Sequence, residues 1–240
     1  MSASLSTAHL ARMIDISAVQ AFNTIEDVRE LARIARQHNF IAAHVLPHFV
    51  SLLHQELTGS QTLTGAPVGF PAGANSTRVK VQEACELAEA GVQEMDMMIN
   101  VGRLRSRDNS YVLTDIRSVV EAVKPVPVKV ILEVHHLSDE EIKQGCDSCI
   151  QAGAEFVKTG TGWTPSGATL ERVRLITNFV RGAIKVKASG GIRDLETVKS
   201  LLQMGVQRFG INTKAAVAIL ARGHAESTDH AQEKVQLGSR

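Results

Sequence analysis

"CIQAGAEFVKTG" (residues 149–160) places a helical pattern, a glycine and a short apolar run in that order. Gly153 fits the left-handed cap that ends many helices, and the run after it has the length of a buried strand. The same order occurs in ELAEAGVQEMDMMIN (86–100) and LLQMGVQRFGIN (201–212). Repeated helix–glycine–strand units are typical of βαβ architecture, in which helices alternate with parallel strands.

Eight apolar runs are strand candidates, and amphipathic helical stretches separate most of them. The runs are RMIDIS (12–17), FIAAHV (40–45), GAPVGF (65–70), EMDMMINV (94–101), VKVILEVH (128–135), EFVKTG (155–160), IKVKAS (184–189) and RFGIN (208–212). Eight such units predict an α/β protein with a (β/α)8 TIM barrel, and a doubly wound open sheet is the alternative. A single barrel domain is expected over residues 1–222, and the polar, aperiodic segment 223–240 is expected to be a flexible tail.

The composition is that of an ordinary globular protein. Of 240 residues, 44% are hydrophobic and 21% charged, and the formal net charge is +1. A charge so near zero gives no electrostatic reason to expect nucleic acid or an anionic membrane as a partner. No apolar stretch approaches the length of a membrane span, and the first residues lack a signal-peptide core, so we expect a cytoplasmic protein.

The cysteine content agrees with a reducing compartment. Cys146 and Cys149 form a C-x-x-C pair inside a helical pattern. A zinc site needs a second pair of ligands, and a redox site needs a thioredoxin-like context. Neither is present in the sequence, so we interpret both cysteines as ordinary helix residues.

Polar residues of the candidate strands fall on one of the two strand faces. Because side chains alternate along a strand, one face is directed to the barrel interior and the other to the helices. The alternation predicts these interior residues: Asp15, Ser17, His44, Asp96, Asn100, Glu133, His135, Lys158 and Lys187. An ion-pair network that only fills the barrel mouth is the alternative, but two lysines among three carboxylates favour a functional site.

Two lysines on neighbouring strands point to amine chemistry. Burial and a second cation lower the pKa of a lysine, and its neutral amine can then attack a carbonyl carbon. Lys158 and Lys187 supply such a pair. The resulting Schiff base allows a neighbouring C–C bond to break, while Asp96 and Asp15 can move protons. This combination predicts a metal-free class I aldolase with a small carbonyl substrate.

Glycine-rich loops follow the last three predicted strands. They are TGTG (159–162), SGGIRD (189–194) and GINTKAA (210–216). In many barrels the loops after the seventh and eighth strands hold a phosphate group with backbone amides and a helix N-terminus. The sequence therefore predicts a phosphorylated substrate.

Four segments resemble the deoxyribose-phosphate aldolase family: GFPAGANST (69–77), EMDMMINVG (94–102), FVKTGTG (156–162) and VKASGGIR (186–193). The resemblance runs in order from about residue 10 to residue 222. It implies a TIM barrel that cleaves 2-deoxy-D-ribose 5-phosphate to D-glyceraldehyde 3-phosphate and acetaldehyde, with neither a metal nor an organic cofactor. A homo-oligomer is compatible with it.

The resemblance also implies roles for particular residues. Lys158 matches the Schiff-base lysine, Lys187 the second lysine that perturbs it, and Asp96 the proton-relay aspartate. Asp15 matches an aspartate that supports this relay and the substrate hydroxyl. The positions that match backbones around the phosphate are Gly162, Gly190, Gly191 and Gly210.

The pocket wall differs from the family pattern at several positions. His44 and Leu46 replace parts of a Cys-x-Asn-Pro-like segment, His135 stands in an altered end of the fifth strand, and Asn212 and Thr213 replace adjacent serines. These differences leave open another sugar phosphate or another short carbonyl donor. We expect His44 and His135 to hydrogen-bond substrate hydroxyls.

Two other functions remain as alternatives. His44, His135 and Glu133 could form a zinc site of the kind that class II aldolases use, but the lysine pair would then have no purpose. A non-catalytic barrel that binds sugar phosphates is the second alternative. It does not explain a lysine at the end of the sixth strand.

Overall fold

The computed structural model describes residues 6–237 of the chain, and in this part eight parallel strands close into a barrel. The strands are β1 (Ile14–Ala18), β2 (Ala42–Val45), β3 (Leu63–Val68), β4 (Glu94–Met98), β5 (Val128–Ile131), β6 (Phe156–Lys158), β7 (Lys185–Ser189) and β8 (Arg208–Gly210). Each strand pairs with the next in chain order, and β8 pairs with β1 through Asp15 and Gly210. This closing pair confirms the predicted TIM barrel and excludes an open sheet.

Helices surround the barrel and bury its outer face. They are α1 (Thr7–Ala11), α2 (Ile25–His38), α3 (Val50–Leu57), α4 (Thr77–Glu89), α5 (Val101–Arg105), α6 (Asn109–Ala122), α7 (Asp139–Ala152), α8 (Leu170–Val180), α9 (Leu195–Gln203) and α10 (Thr213–Leu237). Outward-facing strand residues such as Ile16 and Met97 form one apolar core with the inner helix faces. No described helix is both long and apolar enough to cross a membrane.

Local signals at the helix ends are as the sequence predicts. Thr24 and Asp27 form a capping box at the start of α2, in which each side chain accepts the other's backbone N–H. Gly91, Gly153 and Gly205 have positive φ angles after α4, α7 and α9. A side chain at these positions would be strained, so glycine lets the chain turn directly into the next strand.

Helix α10 continues to Leu237 through most of the segment that was expected to be a loose tail from residue 223. A polar composition does not prevent a helix, because alanine, glutamate, glutamine and lysine are good helix formers. The division into a barrel domain and a tail stays a prediction.

Cys146 and Cys149 lie in α7 and are buried. Burial raises the pKa of the Cys146 thiol to about 12 and that of Cys149 well above its ordinary value. A thiol that stays protonated is a poor nucleophile and a poor metal ligand. Their interpretation as ordinary helix residues agrees with this environment.

Candidate active site

Ionised side chains from six strands are buried together inside the barrel. Four are cationic and three acidic: Lys129, Lys158, Lys187, Arg208, Asp15, Glu94 and Asp96. Buried charges are costly unless each is compensated. The cluster has one cation more than it has carboxylates, so it is electrically neutral when one amine loses its proton.

Asp96 on β4 lies at the centre of the cluster. Its Oδ2 accepts hydrogen bonds from Lys158 Nζ at 2.7 Å and from Lys187 Nζ at 2.6 Å. Its Oδ1 lies 3.3 Å from Lys129 Nζ and 3.4 Å from His44 Nε2. Burial alone would raise the pKa of Asp96, but Lys158, Lys187 and Lys129 lower it well below its ordinary value. Asp96 is therefore a carboxylate that can receive a proton.

Lys187 on β7 bridges two carboxylates. Its Nζ lies 2.6 Å from Asp96 Oδ2 and 2.6 Å from Asp15 Oδ2. Burial would lower the pKa of Lys187, but Asp15, Asp96 and Glu94 raise it above the ordinary value. Arg208 Nη1 donates to the other oxygen of Asp15 at 2.6 Å. Lys187 is consequently held as a permanent cation.

Lys158 on β6 is an interior lysine with a lowered pKa. Burial lowers it to about 8, Asp96 opposes the shift, and the positive charge of Lys187 contributes to it. The two lysines are adjacent in the sheet register between β6 and β7. At pH 7 an amine with this pKa is neutral in about one molecule in ten. Lys158 is thus the amine that can act as a nucleophile.

A cavity of about 300 Å³ opens above these groups at the carboxyl ends of the strands. Its volume is at the small end of the range for small-molecule sites, which is about 300–1,000 Å³. The predicted site residues that line it are Asp15, Ser17, His44, Asp96, Lys158, Gly162, Lys187, Gly190, Gly191, Gly210 and Asn212. The chain thus brings eleven predicted residues together from separate strands and loops.

One end of the cavity presents backbone amides and a cation. In the described structure the amides of Gly190 and Gly191 donate to no protein acceptor. Arg193, in the same loop, also lines the cavity. The side chain of Asn212 accepts a hydrogen bond from the amide of Ala215 and so caps the start of α10. Free amides beside a helix N-terminus and an arginine form a suitable environment for a phosphate group.

Four predicted residues do not line the cavity: Asn100, Glu133, His135 and Thr213. β5 ends at Ile131 and Glu133 takes a left-handed φ of 55°, so the strand alternation stops before His135. His135 is exposed on a turn, and its Nδ1 lies 2.7 Å from Ser166 Oγ. Thr213 begins α10 and does not line the described cavity, and Asn100 caps α5. The interior positions predicted for His135 and Asn100 are wrong.

Comparisons with known proteins agree with this geometry. The model of the DeoC/LacD family of aldolases matches residues 9–226. This chain belongs to the DeoC/LacD aldolase family. A deoxyribose-phosphate aldolase of Sinorhizobium medicae is 59% identical over 91% of this chain and 88% of its own, and one of Klebsiella pneumoniae is 48% identical over 90% and 88%.

A solved structure shows the same fold. The deoxyribose phosphate aldolase of Aeropyrum pernix, described as a unique tetrameric structure, superimposes with a TM-score of 0.81. It is 31% identical, and the match covers 90% of this chain and 91% of that one. The family, the aldolase activity and the barrel expected from sequence are all confirmed by these relatives.

The zinc site considered for this aldolase does not form from its three predicted ligands. His135 is exposed on its turn, whereas His44 is buried inside the barrel. A different group in the described structure, Asp15, His44 and Glu94, brings three ligand atoms within 4.8 Å. Lys129, Lys187 and Arg208 already contact its carboxylates, and their charges oppose a dication there.

Three interior residues of the aldolase were not predicted from the sequence: Glu94, Lys129 and Arg208. Each lies two residues before a residue of its own strand that lines the cavity, namely Asp96, Ile131 or Gly210, and therefore on the same strand face. Lys129 Nζ is 2.6 Å from Glu94 Oε1, and Arg208 Nη1 is 3.1 Å from the same atom. The alternation rule would have found them if it had been extended toward the amino ends of the strands.

Glu133 orders the loop that follows Lys158. It is buried and accepts hydrogen bonds from the amide and the hydroxyl of Thr161, with both amide distances 3.3 Å. The hydroxyl of Thr164 donates to it at 3.1 Å. Across the mouth, Trp163 Nε1 donates to the carbonyl of Val19 at 3.2 Å. The loop carrying Gly162 is thus fixed at both ends.

Glu133→Gln should loosen this loop. All the partners of Glu133 donate hydrogen bonds to it, and the side-chain NH2 group of glutamine cannot accept them. Each hydrogen bond to a charged group contributes about 1.5–3 kcal/mol, so the loss is large. We expect hydrogen–deuterium exchange over residues 159–167 to accelerate by at least about tenfold. Glu155→Gln, at an exposed position directly before β6, is the matched control. Equal exchange in both variants would contradict the role of Glu133.

Proposed function

We propose that the protein is a class I deoxyribose-phosphate aldolase that forms a Schiff base on Lys158. Its substrate is 2-deoxy-D-ribose 5-phosphate, and its products are D-glyceraldehyde 3-phosphate and acetaldehyde. The observation that carries this proposal is the Lys158 amine, with a pKa of about 8, in a cavity beside Asp96 and Lys187. Two relatives at 59% and 48% identity bear the same activity in their names.

The reaction begins at the aldehyde carbon of the open-chain sugar. The neutral amine of Lys158 attacks this carbon, and loss of water leaves a protonated imine. Oδ2 of Asp96 accepts hydrogen bonds from both the Lys158 amine and the Lys187 amine, so the carboxylate and the second lysine lie beside the reacting atoms. The positive charge on the imine then makes it an electron sink.

The C–C bond breaks between carbons 2 and 3. The proton of the carbon-3 hydroxyl passes to the Asp96 carboxylate, directly or through a water molecule, and carbon 3 becomes the aldehyde of glyceraldehyde 3-phosphate. The bonding electrons move to carbon 2 and form an enamine with the Lys158 nitrogen. The proton returns to carbon 2, and water hydrolyses the imine to release acetaldehyde and free Lys158. Asp15 holds Lys187 in place during these steps.

The phosphate of the substrate occupies the end of the cavity with free amides. Gly190, Gly191 and Arg193 offer donors there, and the start of α10 adds its positive helix dipole. Gly162 and Gly210 line the same space. The side-chain oxygen of Asn212 accepts the hydrogen bond that caps α10. Asn212 can therefore contribute to phosphate binding only through its N–H donors.

The assembly and location of the protein are also proposals. The Aeropyrum pernix relative is named as a tetramer, which supports a homo-oligomer for this chain. A sugar phosphate substrate supports a cytoplasmic location. The partners are small molecules, and neither nucleic acid nor a membrane is expected. The reaction above uses no metal and no organic cofactor.

The direct test is a cleavage assay with 2-deoxy-D-ribose 5-phosphate. The purified protein should release acetaldehyde and glyceraldehyde 3-phosphate in equal amounts. Cleavage of other sugar phosphates but not of this one would show that the altered pocket has moved the enzyme to another substrate. No cleavage of any sugar phosphate would reject the proposal.

The phosphate should contribute strongly to substrate use. We expect kcat/KM for the phosphorylated sugar to exceed that for free 2-deoxy-D-ribose by about a hundredfold, since charge-assisted hydrogen bonds are about twice as strong as neutral ones. Arg193→Met should reduce kcat/KM about tenfold for the phosphorylated sugar only. Arg174→Met, on the exposed side of α8, is the control. Equal kcat/KM values for both sugars in the unmodified protein would show that the loop binds no phosphate.

A further inference from the structure

His44 is a buried histidine of the cavity wall whose two ring nitrogens lack hydrogen-bond partners in the described structure. It lies on β2 and is 4% exposed. Nε2 is 3.4 Å from Asp96 Oδ1 and 3.8 Å from Glu94 Oε1, and neither contact is a hydrogen bond. Buried polar atoms without partners are costly and usually find a ligand or a water molecule. The imidazole is therefore an unsatisfied polar group of the cavity wall, and a bound molecule that reaches it would supply the missing partner.

The position of the ring is fixed by the neighbouring strand. His44 pairs with Gly65 in the register between β2 and β3. A Cβ atom at residue 65 would lie 2.5 Å from Cε1 and Nε2 of the ring. Any side chain at this position would push the ring away. Gly65 thus provides the space in which the imidazole lies beside Asp96.

The imidazole is neutral and so can both donate and accept. Burial lowers the pKa of His44, Asp96 opposes this shift, and the charges of Lys187 and Lys129 lower it further. A neutral imidazole has one N–H and one bare nitrogen. Nε2 faces the ionised Asp96, which favours the tautomer with the proton on Nε2. In this tautomer Nδ1 is bare and accepts a hydrogen bond, and a substrate hydroxyl is a suitable donor to it.

The place of His44 relative to the reacting atoms suggests which oxygen it meets. The Lys158 amine donates a hydrogen bond to Oδ2 of Asp96, and Nε2 of His44 lies 3.4 Å from Oδ1 of the same carboxylate. In the proposed reaction, Asp96 exchanges a proton with the carbon next to the imine carbon. An oxygen on that carbon is three bonds from the Lys158 nitrogen. It therefore lies in the same cavity that His44 lines.

We propose that His44 hydrogen-bonds a hydroxyl on the carbon next to the imine carbon, so that the enzyme also uses 2-hydroxyaldehydes as aldol donors. The proposal rests on the proposed Schiff base at Lys158. Glycolaldehyde is the simplest such donor. Its aldehyde condenses with Lys158 and releases water, and Asp96 removes a proton from carbon 2 to give the enamine.

The remaining steps conserve atoms and electrons. Carbon 2 of the enamine attacks the aldehyde carbon of glyceraldehyde 3-phosphate, and the aldehyde oxygen takes up the proton held by Asp96. Water then hydrolyses the imine. The product is an aldopentose 5-phosphate that keeps the hydroxyl on carbon 2. No oxidant or reductant takes part.

The first experiment traps the imine on the full chain. The protein is incubated with acetaldehyde or glycolaldehyde, reduced with borohydride and analysed by peptide mass spectrometry. We expect an ethyl group on Lys158 with acetaldehyde and a hydroxyethyl group on Lys158 with glycolaldehyde. Trapping with acetaldehyde alone would reject the role of His44. No trapping with either aldehyde would reject the Lys158 Schiff base and this proposal with it.

The second experiment compares donors in the His44→Leu and His44→Gln variants. With glyceraldehyde 3-phosphate as acceptor, the ratio of kcat/KM for glycolaldehyde to that for acetaldehyde should fall at least about tenfold in His44→Leu. His44→Gln keeps a donor and an acceptor, so it should retain most of this ratio. Acetaldehyde trapping on each variant shows that the site is intact. An unchanged ratio in an intact His44→Leu variant would overturn the proposal, as would equal losses in both variants.

Discussion

Lys158→Met should abolish aldol cleavage, with a loss in kcat of at least about ten-thousandfold, because no second amine can take over the attack. Lys187 has a raised pKa and stays protonated, and Lys129 is fully buried and does not line the cavity. Steady-state cleavage of 2-deoxy-D-ribose 5-phosphate measures the loss. A variant with more than about one per cent of the original kcat would contradict the assignment.

The variant should fold, which makes the result interpretable. Removing Lys158 leaves three cations facing three carboxylates in the barrel interior. Asp96 keeps its contacts with Lys187 at 2.6 Å and with Lys129 at 3.3 Å. Lys185→Met, at the exposed start of β7, is the matched control and should retain activity. The label that borohydride and acetaldehyde attach to the protein should be absent from Lys158→Met and present in Lys185→Met. A label on Lys187 in the unmodified protein would show that Lys187, and not Lys158, is the nucleophile.

Chelation gives an independent check on the same mechanism. A Schiff base needs no metal ion, so activity should survive prolonged treatment with a strong chelator. Loss of activity that zinc restores would instead favour a metal at Asp15, His44 and Glu94, where three ligand atoms lie within 4.8 Å. That outcome would have to explain how a dication is tolerated beside Lys129, Lys187 and Arg208.

Strand alternation is a strong local signal, and it predicted correctly that Asp96, Lys158 and Lys187 lie in the barrel interior. Asp96, Lys158 and Lys187 each lie inside a strand, where successive side chains must alternate between interior and helix layer. The same rule failed at His135 because β5 ends at Ile131 and Glu133 leaves the extended conformation. The residue at which a strand ends depends on the hydrogen bonds to its neighbouring strands. The residue pattern of a single strand contains no information about those bonds.

Closure of the barrel and the charge balance also depend on distant contacts. Eight strand–helix units suit both an open sheet and a barrel, and only the pairing of Asp15 with Gly210 across β1 and β8 decides between them. The low pKa of Lys158 requires burial and the positions of two other strands. Sequence reasoning named the two lysines and both causes of the pKa shift, burial and a second cation, but only the structure shows that burial is the larger cause.

Lys187→Met should reduce kcat/KM at pH 7 by about a thousandfold and move the pH optimum upward. The positive charge of Lys187 lowers the pKa of Lys158, so its removal raises that pKa. Burial still lowers the pKa in the variant, so the pKa rises only part of the way from about 8 to the ordinary lysine value, and each rise by one lowers the neutral fraction at pH 7 about tenfold. The remaining factor comes from Asp96, which transfers the proton less efficiently without the hydrogen bond from Lys187 that holds its carboxylate.

A charge-conserving variant separates these two contributions. Lys187→Arg keeps a permanent cation between Asp15 and Asp96 but cannot reproduce the compact ammonium group. It should therefore leave the pH optimum near that of the unmodified protein while kcat still falls. The rate of borohydride trapping with acetaldehyde, followed from pH 6 to pH 10, reports the ionisation of Lys158 without the later steps.

The direction of this shift follows from how Asp96 is shared. In the unmodified protein its Oδ2 accepts from Lys158 at 2.7 Å and from Lys187 at 2.6 Å, so the second cation already compensates the carboxylate when Lys158 is neutral. Without Lys187, Lys158 becomes the main partner of that oxygen, and its protonated form is stabilised. The neutral amine is then favoured only at higher pH. A folded Lys187→Met variant that traps acetaldehyde with an unchanged pH profile would show that burial alone, and not the second lysine, sets the reactivity of Lys158.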